Sequence, residues 1–347
     1  MKEAASTISK QSNKIALIGC GGIALTHCSV IKQLENASII GVYDQNTDRA
    51  KAFAKEHGIK TVYESMDALL ASEASIVSIC TPSGLHAPLS IKCMRAGKHV
   101  VVEKPIALSE EDCELLLQAE KETGKKCAPI SQLRFADGIR QAKKIIESGA
   151  LGKPVLCDLY MKYYRNEQYY ANSWRGTVAM DGGGALMNQG IHGIDILHFL
   201  MGDIAQINGT VRTLVHSIEV EDTAVATAVF QNGALGVIEG TTSVRPGYPR
   251  RMELHFEKGS MIIEEDHIIS CDLPDFSQKE RSEKFSSHNN PMSISYEFHR
   301  RQYIDILSAI EHNTPLFYTA EDAAHSVRTI LGIYRSSNTQ APVHFGQ

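Results

Sequence analysis

Three stretches of the chain hold residue types at spacings that chemistry can use. The first is Lys14 to Asp44. An apolar, strand-like run from Lys14 to Ile18 enters Gly19-Cys20-Gly21-Gly22-Ile23-Ala24, a G-x-G-x-x-A turn that opens a helix. Gly19 permits the tight turn, Gly21 lets the backbone approach a pyrophosphate, and Ala24 is small enough for the helix to pack on the strand. The phosphates then sit at the helix start, at Gly22 and Ile23, where unpaired N–H groups and the helix dipole favour an anion. A second strand, Ser38 to Tyr43, ends in Asp44, twenty positions after Ala24, where an acid meets the ribose hydroxyls. The stretch specifies a dinucleotide, and Asp44 favours NAD over NADP because a 2′-phosphate there would face a carboxylate. Glycine turns alone are commonly structural. Here the strand before, the helix after and the acid at the right distance supply the context the motif requires.

The second stretch is a pair of loops. In open parallel sheets ligands bind outside the carboxyl ends of the strands. Thr81-Pro82-Ser83-Gly84-Leu85-His86 follows one strand-like run and Glu103-Lys104-Pro105 follows the next. Thr81, Pro82, Ser83, His86, Glu103 and Lys104 are therefore candidates to line the cofactor, with a helix-capping turn and a surface ion pair as the plain structural alternatives. The third stretch is Asp181-Gly182-Gly183-Gly184 through Asn188 and His192 to Asp195. At 3.6 residues per turn Asn188, His192, Asp195 and Phe199 share one helix face, which would present three polar groups to a ligand. A lone histidine on a partly apolar helix is more often a satisfied core residue. Three aligned polar groups behind a glycine-rich approach favour a site.

The elements that must hold these residues change style along the chain. From Lys14 to about Ile130, strand-like and helix-like segments alternate, the signature of a parallel sheet wrapped by helices. After a helix over Ala136 to Ser148 and the Gly152-Lys153-Pro154 break, strands follow without intervening helices: Val155 to Arg165, Ile204 to His216, Thr223 to Phe230, Ala234 to Val244, Arg251 to Glu257 and Ser260 to Glu265. Gln231-Asn232-Gly233 and Lys258-Gly259 read as hairpin turns. The expectation is an α/β protein: a flexible arm over 1–13, a nucleotide-binding domain over 14–130, and over 131–347 an α/β domain with a large, mostly antiparallel open sheet. Phe276 to Asn290 reads as a mobile loop, and helices over Ser293 to His312 and Ala320 to Ser336 close the chain.

Composition narrows the function. Of 347 residues, 43% are hydrophobic and 22% charged, with a net charge of −5. That balance gives no basic footprint for nucleic acid and no polybasic membrane patch. The eight cysteines form no C-x-x-C pair and show no zinc spacing, so no metal site is expected and free thiols in a reducing cytoplasm are. No run approaches a membrane span, and the polar first thirteen residues lack a signal-peptide core. An open sheet with too few helices to cover it predicts a homodimer or homotetramer.

Taken together, GCGGIA, Asp44, Glu103-Lys104-Pro105 and the GGG-x3-N-x3-H-x2-D run resemble the glucose–fructose oxidoreductase / inositol dehydrogenase (Gfo/Idh/MocA) family over nearly the whole chain. The resemblance implies a Rossmann domain, a second domain whose open sheet serves oligomerisation, and NAD(P)-dependent oxidation or reduction of a sugar or cyclitol carbon. Residue by residue, Lys104 is similar to the family's lysine beside the nicotinamide and His192 to its proton-transferring histidine. Inositol dehydrogenases carry Asp where this chain has Asn188. An Asp–His dyad at that place is therefore absent, and Lys104 is left with more of the acid–base work. Ser131 to Phe135 together with Trp174-Arg175-Gly176 are similar to members that oxidise C3 of nucleotide-linked amino sugars or glycosides. Arg134, Arg165 and Arg175 would either grip a diphosphate or uronate or be ordinary surface arginines. Tyr163, Tyr164, Tyr169, Tyr170 and Trp174 suit either sugar stacking or burial between domains. Within the family a redox-assisted glycosidase that retains its NAD is an alternative. So is a catalytically silent regulator, against which the presence of both Lys104 and His192 argues.

Overall fold

The computed structural model describes residues 13–171, 174–274, 276 and 296–346. All of the expected arm over 1–13 except Asn13, which begins the first strand, and nearly all of the expected loop over 276–290 lie outside them. Five strands form the first sheet: β1 (Asn13–Ile18), β2 (Ala37–Tyr43), β3 (Ile76–Ile79), β4 (His99–Val102) and β5 (Cys127–Pro129), in the order β2-β1-β3-β4-β5. Every pairing is parallel. Parallel neighbours need crossovers, and these are α1 (Gly22–Ile31), α2 (Thr47–Glu56) with α3 (Met66–Leu70), α4 (His86–Arg95) and α5 (Glu110–Thr123). Period-two alternation divides β1 between two cores: Ala16 and Ile18 face the α4–α5 side, while Ile15 and Leu17 face α1.

After α6 (Asp137–Glu147) comes an eight-stranded sheet: β6 (Pro154–Lys162), β7 (Ile204–Arg212), β8 (Thr223–Phe230), β9 (Leu235–Thr241), β10 (Arg251–Phe256), β11 (Gly259–Glu264), β12 (His267–Cys271) and β13 (Val343–His344). Its order is β12-β11-β10-β6-β9-β8-β7-β13, antiparallel throughout except for the β6–β9 pair. Between β6 and β7 lie α7 (Glu167–Tyr170), α8 (Val178–Asp181), a π-helical stretch over Ala185–Gly190 and α9 (Ile191–Met201). Among the described residues only one face of this sheet is covered. Leu159, Met161, Ala226, Ala228, Ile238 and Leu254 point inward and are buried with residues of α9 and of α11 (Ala320–Thr339). On the other face Leu156, Val225 and Leu235 stand exposed. All eight cysteines are free thiols, and among the described residues no helix is long and apolar enough to cross a membrane.

α10 (Tyr296–Glu311) returns to the first sheet. Its Tyr303, Ile306 and Leu307 join Ile15, Leu17 and Cys28 in the core beneath α1, and the Tyr303 hydroxyl meets His27 Nδ1 at 2.7 Å. A cavity left by truncating a buried leucine costs about 2–5 kcal/mol, whereas surface changes stay within about 0.5 kcal/mol. Leu307 is 1% exposed and Ile304 on the same helix is 46% exposed. Thermal melting is therefore expected to show a clear loss of stability for Leu307→Ala and almost none for Ile304→Ala. Equal effects would mean that α10 does not anchor through this face.

Candidate active site

At the end of β1, Gly19 adopts φ +89° and its amide donates to the Tyr43 carbonyl at 2.8 Å, tying the turn to β2. A Cβ here would stand 2.6 Å from the Cys80 carbonyl oxygen, so no side chain fits. Gly21 caps α1, and a Cβ there would meet nothing within 4 Å. Open space over a helix N-terminus, before the amides of Gly22 and Ile23, is what a phosphate requires. Asp44 directly follows β2 with its carboxylate fixed against the turn: Oδ2 accepts the Cys20 amide at 2.9 Å and Oδ1 the Asn46 amide at 2.8 Å. Phosphate cradle and ribose acid thus sit together, and the residues present fit a dinucleotide.

The two loops after β3 and β4 are braced by His86. Its ring, buried between them, lies 2.6 Å from the Pro105 carbonyl through Nδ1 and 2.9 Å from the Thr81 carbonyl through Nε2. Ser83 is buried beside it. His86 therefore holds the loop geometry, with Thr81 tied to it through its carbonyl.

Glu103 and Lys104 point in different directions. Glu103 turns inward and meets His27 Nε2 at 2.9 Å, while His27 Nδ1 meets Tyr303 and Ser78. Burial alone would raise the Glu103 carboxyl, but the hydrogen bond and charge of His27, with His299 and Lys104, outweigh it and hold it at about 2. His27, Glu103 and His299 place ligand-type atoms within 4.8 Å of one another, a grouping that sequence spacing did not show. Both ring nitrogens of His27 have hydrogen-bond partners, so the grouping reads as a buried network beneath the loop. Lys104 turns outward, and its Nζ donates to the Asn188 carbonyl at 2.8 Å. Burial lowers its pKa, Glu103 and Asp181 oppose that, and Arg175 and Arg165 reinforce it.

Asn188 does not lie on a regular α-helix. The run expected to carry Asn188, His192, Asp195 and Phe199 on one helix face is, after a left-handed turn at Gly182, a π-helical stretch that holds Asn188 and only then α9. Tertiary contacts override the helical period: the buried Glu221 carboxylate accepts the amides of Gly184 and Leu186 at 2.9 and 2.8 Å and the Tyr334 hydroxyl at 2.9 Å. His192 nevertheless lies close to Lys104. Both line a cavity of about 10 Å³ with Ser131, Ile191 and Asp195, close to the smallest that admits a water. Burial, reinforced by the Lys104 charge, holds the His192 imidazole well below the ordinary histidine range, so it is neutral at pH 7.

The three arginines divide. Arg134 is buried and grips Asp195 through Nε and Nη2, the latter at 2.7 Å, with Asp322 3.3 Å from Nη1. Ser131 Oγ also donates to Asp195. This ion pair braces α9, and Arg134 stands as a support for the site wall. Arg165 is buried, donating to Gln189 Oε1 and to the Tyr164 carbonyl. Arg175 stacks over Tyr169 and Trp174, 4.7 and 5.1 Å from the ring centroids, and Arg245 donates to the Tyr164 hydroxyl. Sequence reasoning missed Asp181, whose carboxylate accepts from Asn188 Nδ2. It also missed Gln189, whose Nε2 donates to the Tyr169 hydroxyl and to Asn188 Oδ1, both at 2.8 Å. The signal for Asp181 was its place directly before Gly182-Gly183-Gly184.

Residues 13–130 match the oxidoreductase family with an NAD-binding Rossmann fold, and residues 139–262 match the GFO/IDH/MocA C-terminal domain. The chain belongs to this family. It is 25% identical to the myo-inositol 2-dehydrogenase of Thermotoga maritima, across 86% of this chain and 87% of that one. To the scyllo-inositol 2-dehydrogenase (NAD(+)) of Bacillus subtilis it is 28% identical, across 72% and 73%. Among solved structures it is similar to the WlbA dehydrogenase of Bordetella pertussis in complex with NADH and UDP-GlcNAcA, with a TM-score of 0.88 and 28% identity over 98% of this chain and 99% of that one. This chain is therefore an NAD-binding oxidoreductase of the GFO/IDH/MocA type.

The two glycines of the turn make separable demands. Gly19→Ala places a side chain against backbone in a left-handed conformation, which is expected to lower the melting temperature of the protein itself. Gly21→Ala meets no protein atom and is expected to melt like the parent while binding NAD more weakly, because its methyl enters the phosphate space. Calorimetric titration with NAD checks the second effect. Unchanged affinity for Gly21→Ala would remove the phosphate from that position.

Proposed function

We propose that this protein is an NAD-dependent dehydrogenase that oxidises a secondary hydroxyl of a sugar or cyclitol, with Lys104 and His192 handling the proton. The observation that carries this reading is the convergence of the two side chains on one cavity. Lys104 comes from the loop after β4 and His192 from α9 of the other sheet's helical layer. NAD supplies the hydride acceptor when bound. A neutral imidazole beside an amine of lowered pKa gives the hydroxyl two nearby proton acceptors, and the small apolar-walled cavity keeps bulk water from competing for the same place. Asn188 orients the amine through its carbonyl.

The substrate side is cationic and aromatic. Beyond burial, Arg175 and Arg165 lie near enough to Lys104 to lower its pKa, and Tyr169 and Trp174 offer ring faces beside Arg175. Planar guanidinium groups on aromatic faces suit a sugar bearing a carboxylate or phosphate. The UDP-GlcNAcA-bound relative supports the same reading, so a nucleotide-linked or otherwise anionic sugar oxidised at C3 is the first substrate to try. Arg134, committed to Asp195, supports the wall behind it.

A panel of nucleotide sugars, free sugars, glycosides and inositols with NAD, read as NADH formation, tests the activity. With the best substrate, Lys104→Ala and His192→Ala are each expected to lower kcat by roughly 10²–10⁴-fold, about 3 to 5 kcal/mol of barrier, while NAD affinity hardly moves. An alanine variant with normal kcat and lost NAD affinity would make that residue a cofactor ligand instead.

The exposed sheet face is read as the seat of a homo-oligomer. Leu156 on β6 pairs with Leu235 on β9, and Val225 stands further along the same face, on β8 opposite Glu239 of β9. Apolar residues grouped on one uncovered face favour a second copy. Sedimentation at micromolar concentration is expected to give a dimer or tetramer that Leu235→Lys weakens. A monomeric parent protein would refute it.

A further inference from the structure

Asp181 ends α8 and is 1% exposed. Its Oδ2 accepts the Gly176 amide at 2.8 Å and its Oδ1 accepts Asn188 Nδ2. Both donors are neutral. A buried carboxylate so held is costly to keep ionised, and an asparagine or serine would cap the same amide at lower cost. Burial pushes the carboxyl above its usual range, against the hydrogen bonds of Gly176 and Asn188 and the charges of Lys104 and Arg175. Asn188 in turn is tied on three sides. Its carboxamide nitrogen goes to Asp181, its Oδ1 accepts from Gln189, and its backbone carbonyl accepts from Lys104 Nζ.

We propose that Asp181 is a positioning residue for proton transfer: its carboxylate anchors Asn188 and, through the Asn188 carbonyl, sets where the Lys104 amine stands against the substrate hydroxyl. Asp181 also works through space. The charged and titratable groups that face Lys104 are Glu103 and Asp181, which favour its ammonium form, and Arg175, Arg165 and His192, which do not. Neutralising Asp181 removes one of two carboxylates favouring the charged amine, so the Lys104 pKa must fall further. The role in turnover rests on the dehydrogenase reading, whereas the effect on the Lys104 amine does not.

The test compares Asp181→Asn with the exchange Asp181→Asn/Asn188→Asp, which keeps the side-chain hydrogen bond with its direction reversed and restores one carboxylate to the pair. The NAD-loaded proteins are treated with an acetylating reagent across pH, and Lys104 acetylation is followed by peptide mass spectrometry, which requires no substrate. In Asp181→Asn the apparent pKa of Lys104 is expected to fall by about one unit, and in the exchange to return towards the parent value. With a substrate in hand, Asp181→Asn is expected to lower kcat by roughly 10–100-fold with little change in KM, and the exchange to recover most of it. A parent-like Lys104 titration in Asp181→Asn, with melting and NAD affinity intact, overturns the proposal. Should Asp181→Asn fold poorly, the exchange decides alone: a Lys104 pKa held at the parent value supports the proposal, and one lowered as by charge loss overturns it. A shifted Lys104 titration in a protein that oxidises no sugar would sink the dehydrogenase reading and leave the Asp181–Lys104 link standing.

Discussion

The site depends on one contact, the hydrogen bond from Lys104 Nζ to the Asn188 carbonyl at 2.8 Å. It joins the loop after β4 of the parallel sheet to the π-helical stretch above the second sheet. Everything around it limits the freedom of its two ends. On the Lys104 side, Glu103 is locked to His27 and through it to Tyr303 of α10, while His86 bridges the neighbouring loops. On the Asn188 side, Asp181 holds the side chain and Glu221 fixes the backbone of the approach. An amine carried on a four-carbon stem has wide rotamer freedom, and only such bracing places it repeatedly at one point.

α10 has a role here that its place in the chain conceals. It follows the whole second sheet, yet it packs beneath α1 and supplies Tyr303 to the network under Glu103. The chain therefore crosses between its two sheets more than once, and the lysine loop is supported by residues from both ends of the sequence. The same return path explains why a strict division at residue 130 describes the sheets better than it describes the cores.

The parts of this arrangement written in local pattern were legible in the sequence. Gly19, Gly21 and Asp44 follow from backbone geometry and spacing within one strand–turn–helix unit. Gly233, at φ +86°, and the Lys258-Gly259 turn mark hairpins by their own chemistry. The parts decided by distant contacts were not. The helical period through Asn188 gave way because Glu221, far along the chain, takes the amides of Gly184 and Leu186. Arg134, open in the sequence to being either an anion grip or a surface arginine, is instead buried in an ion pair with Asp195 on α9. The short strands β5, β12 and β13 carry too few residues for a pattern of their own, and each is fixed by its neighbour's ladder. Asp181 was given no role because its one signal, a place before three glycines, names no partner until Asn188 is folded against it.

The most direct test of the account is where the hydrogen goes. A single turnover of the NAD-loaded protein with a substrate sugar deuterated at the carbinol carbon should place the deuterium on the nicotinamide and slow the reaction through breaking of the C–D bond. Cofactor reduced without label, or a labelled sugar consumed without cofactor reduction, would contradict hydride transfer in the cleft between Lys104 and His192.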